Sequence, residues 1–162
     1  MFKKLVLILV VCLSLQAKSQ NSVENEEIVD NSISTQLFTK CFENLNYGAE
    51  FLEKNPKWRD TKICSLMTCM MLLSFQDKEV QLMGEGRLVG IATQLYLEGN
   101  PVILIMGMDS YLEEKKKNEN LQDDDRIVYI SYAECTSPPF LRKAAEIVNN
   151  QTRFLIKKNK TL

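Results

Sequence analysis

The sequence contains no histidine among its 162 residues. Without that side chain there is no Ser-His-Asp triad, no Cys-His dyad, no zincin helix and no imidazole general base. The usual charge switch between about pH 5 and 8 is missing as well. Neither sign of charge is in large excess, with 20 Lys plus Arg against 21 Asp plus Glu. Such a balance supplies no basic cluster for phosphates, so a nucleic-acid partner is not expected. Long hydrophobic runs are also lacking. The one at 5–13 is far short of the ~20 residues a spanning helix needs, and nothing later resembles a spanning segment. No internal repeat, no G-x-S-x-G elbow and no Cys-x2-Cys pair is present.

What is present is 45% apolar and 25% charged, the make-up of an ordinary globular domain. The length suits one core better than two. Residues 1–19 read as a cleaved secretory signal. Lys3 and Lys4 precede the uncharged run, and Ala17 and Ser19 offer the small side chains a signal peptidase needs. Cleavage after Ser19 is favoured over cleavage after Ala17. Losing Lys3, Lys4, Lys18 and Cys12 takes the basic count from 20 to 17 against 21 acidic residues, net −4, and the cysteines from five to four. The expected location is secreted or periplasmic, with no stable membrane insertion after signal removal. Residues 20–31, carrying Glu24, Glu26, Glu27 and Asp30, read as a disordered acidic leader. Residues 32–158 read as a single helical domain.

The fold class expected is mainly α, a bundle of five to six helices stapled by two disulfides. Ile33, Leu37, Cys41, Leu45, Ala49 and Leu52 form one helical stripe, stopped by Asn55-Pro56. Asp60 or Thr61 caps a second helix to about Phe75, apolar nearly all round and therefore central. Asp77 caps a third over 78–98, with Leu88, Ile91, Ala92 and Leu95 inward, and Gly99 ends it before Pro101. The run from Val102 to Met106 leans helical, continued by the polar 113–118. A short β-hairpin of 102–108 with 126–132 is the competing reading, because RIVYISY is β-branched and aromatic. Ser137-Pro138 caps a last helix to about Lys158, with Leu141, Ala144, Val148, Thr152 and Leu155 as its stripe.

Four cysteines in an exported chain read as two disulfides. Cys64 and Cys69 on one straight helix are ~7.5 Å apart along the axis and point ~140° apart, so they do not pair. Axial matching across a hairpin at 55–59 favours Cys41–Cys69 with Cys64–Cys135 over Cys41–Cys64 with Cys69–Cys135. No His completes a metal ligand set, so neither a metal nor a cofactor is expected.

Among other constellations, Gly84, Gly86 and Gly90 suggest close helix packing rather than a phosphate cradle. Asp123-Asp124-Asp125 lacks the alternation of a calcium loop and reads as a cap. Met67, Met70, Met71, Met83, Met106 and Met108 make the centre methionine-rich, which suits core filling first and an apolar pocket second. Trp58, Arg59, Tyr96 and Tyr111 are the candidate binding residues.

The stretch FLEKNPKWR over 51–59 resembles a helix–Pro–helix segment of small periplasmic immunity proteins that neutralise type VI secretion effectors. The Gly and Cys pattern of those proteins has no counterpart upstream. The function expected is binding of a partner protein, of inhibitor or immunity type in a bacterium and a helical-bundle ligand in a eukaryote. The alternatives are a carrier of an apolar small molecule in a Met-rich pocket and a carboxylate-based hydrolase. Enzymatic activity is not the leading expectation.

Overall fold

The computed structural model describes residues 30–42, 45, 50–59, 63–119 and 126–161. The chain divides after Asp30, and the unit Asn31–Leu162 carries every element described below. In order these are α1 (Ile33–Thr39), α2 (Glu50–Lys54), a 3-10 turn (Pro56–Trp58), α3 (Leu66–Leu72) and α4 (Lys78–Leu97). After them come β1 (Val102–Met106), α5 (Ser110–Glu119), β2 (Val128–Ala133) and α6 (Pro139–Asn159). The expected signal over 1–19 lies outside the described residues, as does the leader up to residue 29.

The two long helices follow from their end signals. Asp77 Oδ1 accepts from the backbone of Glu79 and Val80, which satisfies two amides that the first turn leaves without partners. At the other end Gly99 adopts φ +79°. Asn100 N donates to Leu95 O at 2.9 Å and Gly99 N to Tyr96 O at 3.0 Å, a Schellman ending that a side-chain-bearing residue would strain. Leu88, Ile91, Ala92 and Leu95 are all fully buried, as their spacing predicts. In α6, Pro139 occupies the first turn, where its missing N–H costs nothing, and Ala144, Ala145, Val148 and Thr152 point inward. Lys143 Nζ donates to Glu85 Oε1 at 2.6 Å and Gln151 Nε2 to Thr93 Oγ1 at 2.9 Å, both across a separation of 58 residues. A constant offset means that α4 and α6 run parallel, side by side.

Two sequence-based expectations about the centre are corrected. Val102 to Met106 is a strand, not the start of a helix, and it pairs with β2 in parallel rather than as a hairpin. Val102 stands opposite Val128, Leu104 opposite Ile130 and Ile105 opposite Ser131, and a register shift then sets Met106 against Ala133. The chain enters both strands in the same direction because α5 intervenes, and parallel strands require such a crossover. A run buried on both faces looks the same as a buried helix turn in sequence, which is why Val102, Ile103 and Leu104 misled. Val102, Leu104, Val128 and Ile130 join the core with Leu66, Met70, Leu88, Ile91, Leu95 and Val148.

The first expected helix is divided. Its described residues form α1 and α2, with residues 40–42 non-helical between them. The second helix starts later than expected, at Leu66, because Ser65 Oγ accepts from Thr68 N at 3.0 Å and caps it there. Asp60, Thr61 and Asp123 to Asp125 lie outside the described residues.

The shorter α3 changes the cysteines. Cys64 lies outside the helix, one residue before the Ser65 cap, and Phe42 N donates to Cys64 O at 3.3 Å. That bond lays the two segments alongside each other, and Cys41 pairs with Cys64 at a Cα separation of 4.4 Å. The favoured pairings Cys41–Cys69 and Cys64–Cys135 are therefore corrected, since helical rise does not apply to residues outside a helix. Among the described residues one disulfide is formed, not two. Cys69 is buried in the core as a free thiol, and Cys135 is a free thiol in the exposed turn after β2.

Candidate functional site

A two-stranded sheet has two open edges, each presenting unpaired backbone groups. Here both are closed by asparagine side chains. On the β1 edge, Leu104 N donates to Asn149 Oδ1 at 2.7 Å and Asn149 Nδ2 donates to Leu104 O at 2.9 Å. On the β2 edge, Tyr129 N donates to Asn118 Oδ1 at 2.8 Å and Asn118 Nδ2 donates to Tyr129 O at 2.7 Å. Each amide imitates the peptide unit of a third strand. One turn before Asn118, Glu114 continues the closure. Its Oε2 accepts from Ser131 N and its Oε1 from Ser34 Oγ, both at 2.5 Å. Ser110 and Ser131 then share a hydroxyl hydrogen bond of 2.6 Å in a buried position. This network ties α1, α5 and β2 together, and both carboxylate oxygens of Glu114 are engaged in it.

Beyond these side-chain contacts on the edges lies the rim at the carboxyl ends of the strands. In sheets with parallel strands that rim is where ligands gather. Met106, the last residue of β1, is 36% exposed, and beyond it Met108 is 79%, Tyr111 60% and Leu112 69% exposed. Gly107 N donates to Ala133 O at 3.3 Å, joining the turn after β1 to the end of β2. Met106 Sδ accepts from Tyr132 Oη at 3.0 Å. Asp109, Glu134 and Cys135 are exposed around the same turns. Large apolar side chains standing out of a closed framework form a contact surface with an acidic fringe.

Of the four candidate binding residues, Tyr111 belongs to this rim. Trp58 and Arg59 belong to a different place, where the 3-10 turn meets α4. Arg87 is buried there, and its Nη2 donates to Trp58 O at 2.5 Å and Arg59 O at 2.8 Å. Trp58 is half-buried, with Nε1 lacking a hydrogen-bond partner among the described residues, and Arg59 is exposed. Tyr96 is half-buried in the last turn of α4. The methionines divide as well: Met70 and Met83 are in the core, while Met67, Met71, Met106 and Met108 are exposed. Sequence reasoning missed Asn118, Asn149, Glu114 and Arg87, whose roles are defined by backbone groups distant in the chain. Met106, Met108 and Leu112 carried a partial signal, since they flank Tyr111 closely.

Compared with known proteins, the chain matches no family model, no curated sequence and no solved structure. Among the described residues, no helix is long and apolar enough to cross a membrane. Nor does any group of three or more His, Cys, Asp or Glu among them stand ready for a metal ion.

Proposed function

We propose that the protein is an exported binder of another protein, and that the rim formed by Met106, Met108, Tyr111 and Leu112 is its contact surface. The observation that carries this reading is the exposure of four large apolar side chains within seven residues, on the rim of a sheet whose edges are closed. Water-exposed apolar groups in such a cluster contribute when a second surface covers them, at roughly 25 cal/mol per Å². Asp109 and Glu134 beside them favour a partner with an apolar centre and cationic surroundings. The disulfide Cys41–Cys64 supports an oxidising location, secreted or periplasmic. Two features favour binding over the other readings. Both oxygens of the half-buried Glu114 carboxylate are engaged in structural hydrogen bonds, and the methionines do not share one interior space.

A photo-crosslinking amino acid placed at Met108 of the full chain, in its native source, tests the reading. The expected result is one discrete adduct, lost when Leu112→Asp is added. Labelling indistinguishable from that of the same group placed at the exposed Lys158 would overturn it.

A further inference from the structure

The C-terminal end of α6 carries a pattern unlike that of the rim. Ser137, just before this helix, lies by the Tyr132 hydroxyl, and further along Asn149 holds Leu104. Leu104 is paired with Ile130, so α6 runs from the carboxyl ends of the strands toward their amino ends. Its last two turns therefore lie at the opposite end from Met106 and Met108. There Phe154 is 60% exposed, and the exposed Arg153, Lys157 and Lys158 neighbour it in the chain and one turn on. No Asp or Glu occurs from 147 to 162. Among the described residues none of these three cations is in an ion pair. The offset of 58 residues between α4 and α6 sets Leu97, 59% exposed, level with Leu155. Glu98, next to it, is already paired with Lys40.

We propose that this end docks reversibly on an anionic lipid surface. Phe154 and Leu97 enter the headgroup layer, while Arg153, Lys157 and Lys158 meet lipid phosphates. Lys157 and Lys158 also suit the carbonyl end of a helix, but that role does not call for an exposed Phe among them. An anionic bilayer supplies both halves of the match in the right order, phosphate outermost and hydrocarbon beneath. An aromatic ring sits well at that boundary, and Lys and Arg on flexible stems keep their charges at the phosphates. Unpaired cations without acidic neighbours in the same helix turns add attraction that salt screens. Docking here leaves the rim facing away from the lipid, and neither contact depends on the other.

The test is flotation of the native protein with vesicles of equal phosphatidylglycerol and phosphatidylcholine, against phosphatidylcholine alone. Binding to the anionic vesicles only is expected, weakening as salt rises. The Arg153→Gln, Lys157→Gln, Lys158→Gln variant should bind roughly thirtyfold or more weakly. Phe154→Ser should bind about tenfold more weakly, and Phe154→Leu should restore most of that loss. Met108→Asp should bind as wild type does, because it stands at the other end. Far-ultraviolet circular dichroism matching wild type confirms that each variant is folded. No binding to the anionic vesicles, or equal binding to both kinds, overturns the proposal. Unchanged binding by Phe154→Ser, with equal affinity for soluble polyglutamate, would assign the cations to an acidic macromolecule and overturns it too. So does a loss of binding in Met108→Asp, which would move the lipid contact to the rim. Crosslinking at Met108 reports on the rim alone, so the two proposals fail separately.

Discussion

Asn149 holds both the amide and the carbonyl of Leu104, so a side chain on α6 acts as a missing strand for β1. Asn149→Ala leaves one donor and one acceptor without their partner in a partly buried position. The cost expected is about 1–3 kcal/mol, read from the urea midpoint at unchanged slope. Asn118→Ala should cost a similar amount on the β2 edge. Asn149→Asp keeps the acceptor and loses the donor, while bringing a negative charge beside the carbonyl of Leu104. It should therefore be the worse substitution at neutral pH.

Gly84 lies where α4 crosses α3. A Cβ there would stand 2.8 Å from Leu73 Cδ1, 2.9 Å from Leu72 Cβ and 3.4 Å from Cys69 O. The Leu72 contact is close to the backbone and gives way only if α3 shifts. Alanine gains about 1 kcal/mol of helix propensity over glycine, and overpacking costs about 1–3 kcal/mol. Gly84→Ala should be neutral to destabilising by thermal unfolding, and a clear rise in Tm would show that α3 yields freely.

The Cys69 thiol is pushed up to about 12 from an ordinary 9.0 by burial, with the positive charge of Arg87 opposing part of the rise. The unfolded chain ionises this thiol first, so unfolding releases a proton once the pH passes the ordinary value. Stability from this group is complete below about pH 9 and is lost as pH rises toward 12. Cys69→Ala should flatten the decline of Tm with pH in that window. Iodoacetamide at pH 8 should label Cys135 in the native protein and spare Cys69, and labelling of both would contradict the burial.

Peptide mapping without reduction should recover Cys41 joined to Cys64, with Cys69 and Cys135 alkylated. The bridge closes a loop across a sequence separation of 23. Removing it in the Cys41→Ala, Cys64→Ala variant should cost about 3 kcal/mol by loop entropy, measured by chemical denaturation. A midpoint equal to wild type would show that the reduced chain already holds these segments together.

Local signals carried α4 and α6. Asp77, Gly99 and the spacing of Leu88, Ile91, Ala92 and Leu95 place α4 within a residue of its observed ends, and the Ala144, Val148, Thr152 stripe orients α6. The strands were less legible, since five consecutive apolar residues suit either a buried strand or a helix turn. Pairing Val102 with Val128 further depends on a contact across an intervening helix. The cysteine pairing failed for a smaller reason. Ser65 and Asp60 are both good caps, and choosing between them decides whether Cys64 is inside the helix. The rim was half-visible through Tyr111, but exposure belongs to the finished fold and not to any one residue. The edge-closing amides left no local mark at all.

The parallel contact of α4 with α6 has a consequence for the order of events during synthesis. The last 21-residue helix supplies the wall against which α4 rests and the amide that closes β1. A chain emerging from the ribosome has made α4 and β1 long before either can be completed, and the contacts that reward their ordering are far apart in sequence. Collapse into the final structure therefore waits for the C-terminal segment. Until then the polypeptide stays threadable, the state that the export proposed above would require.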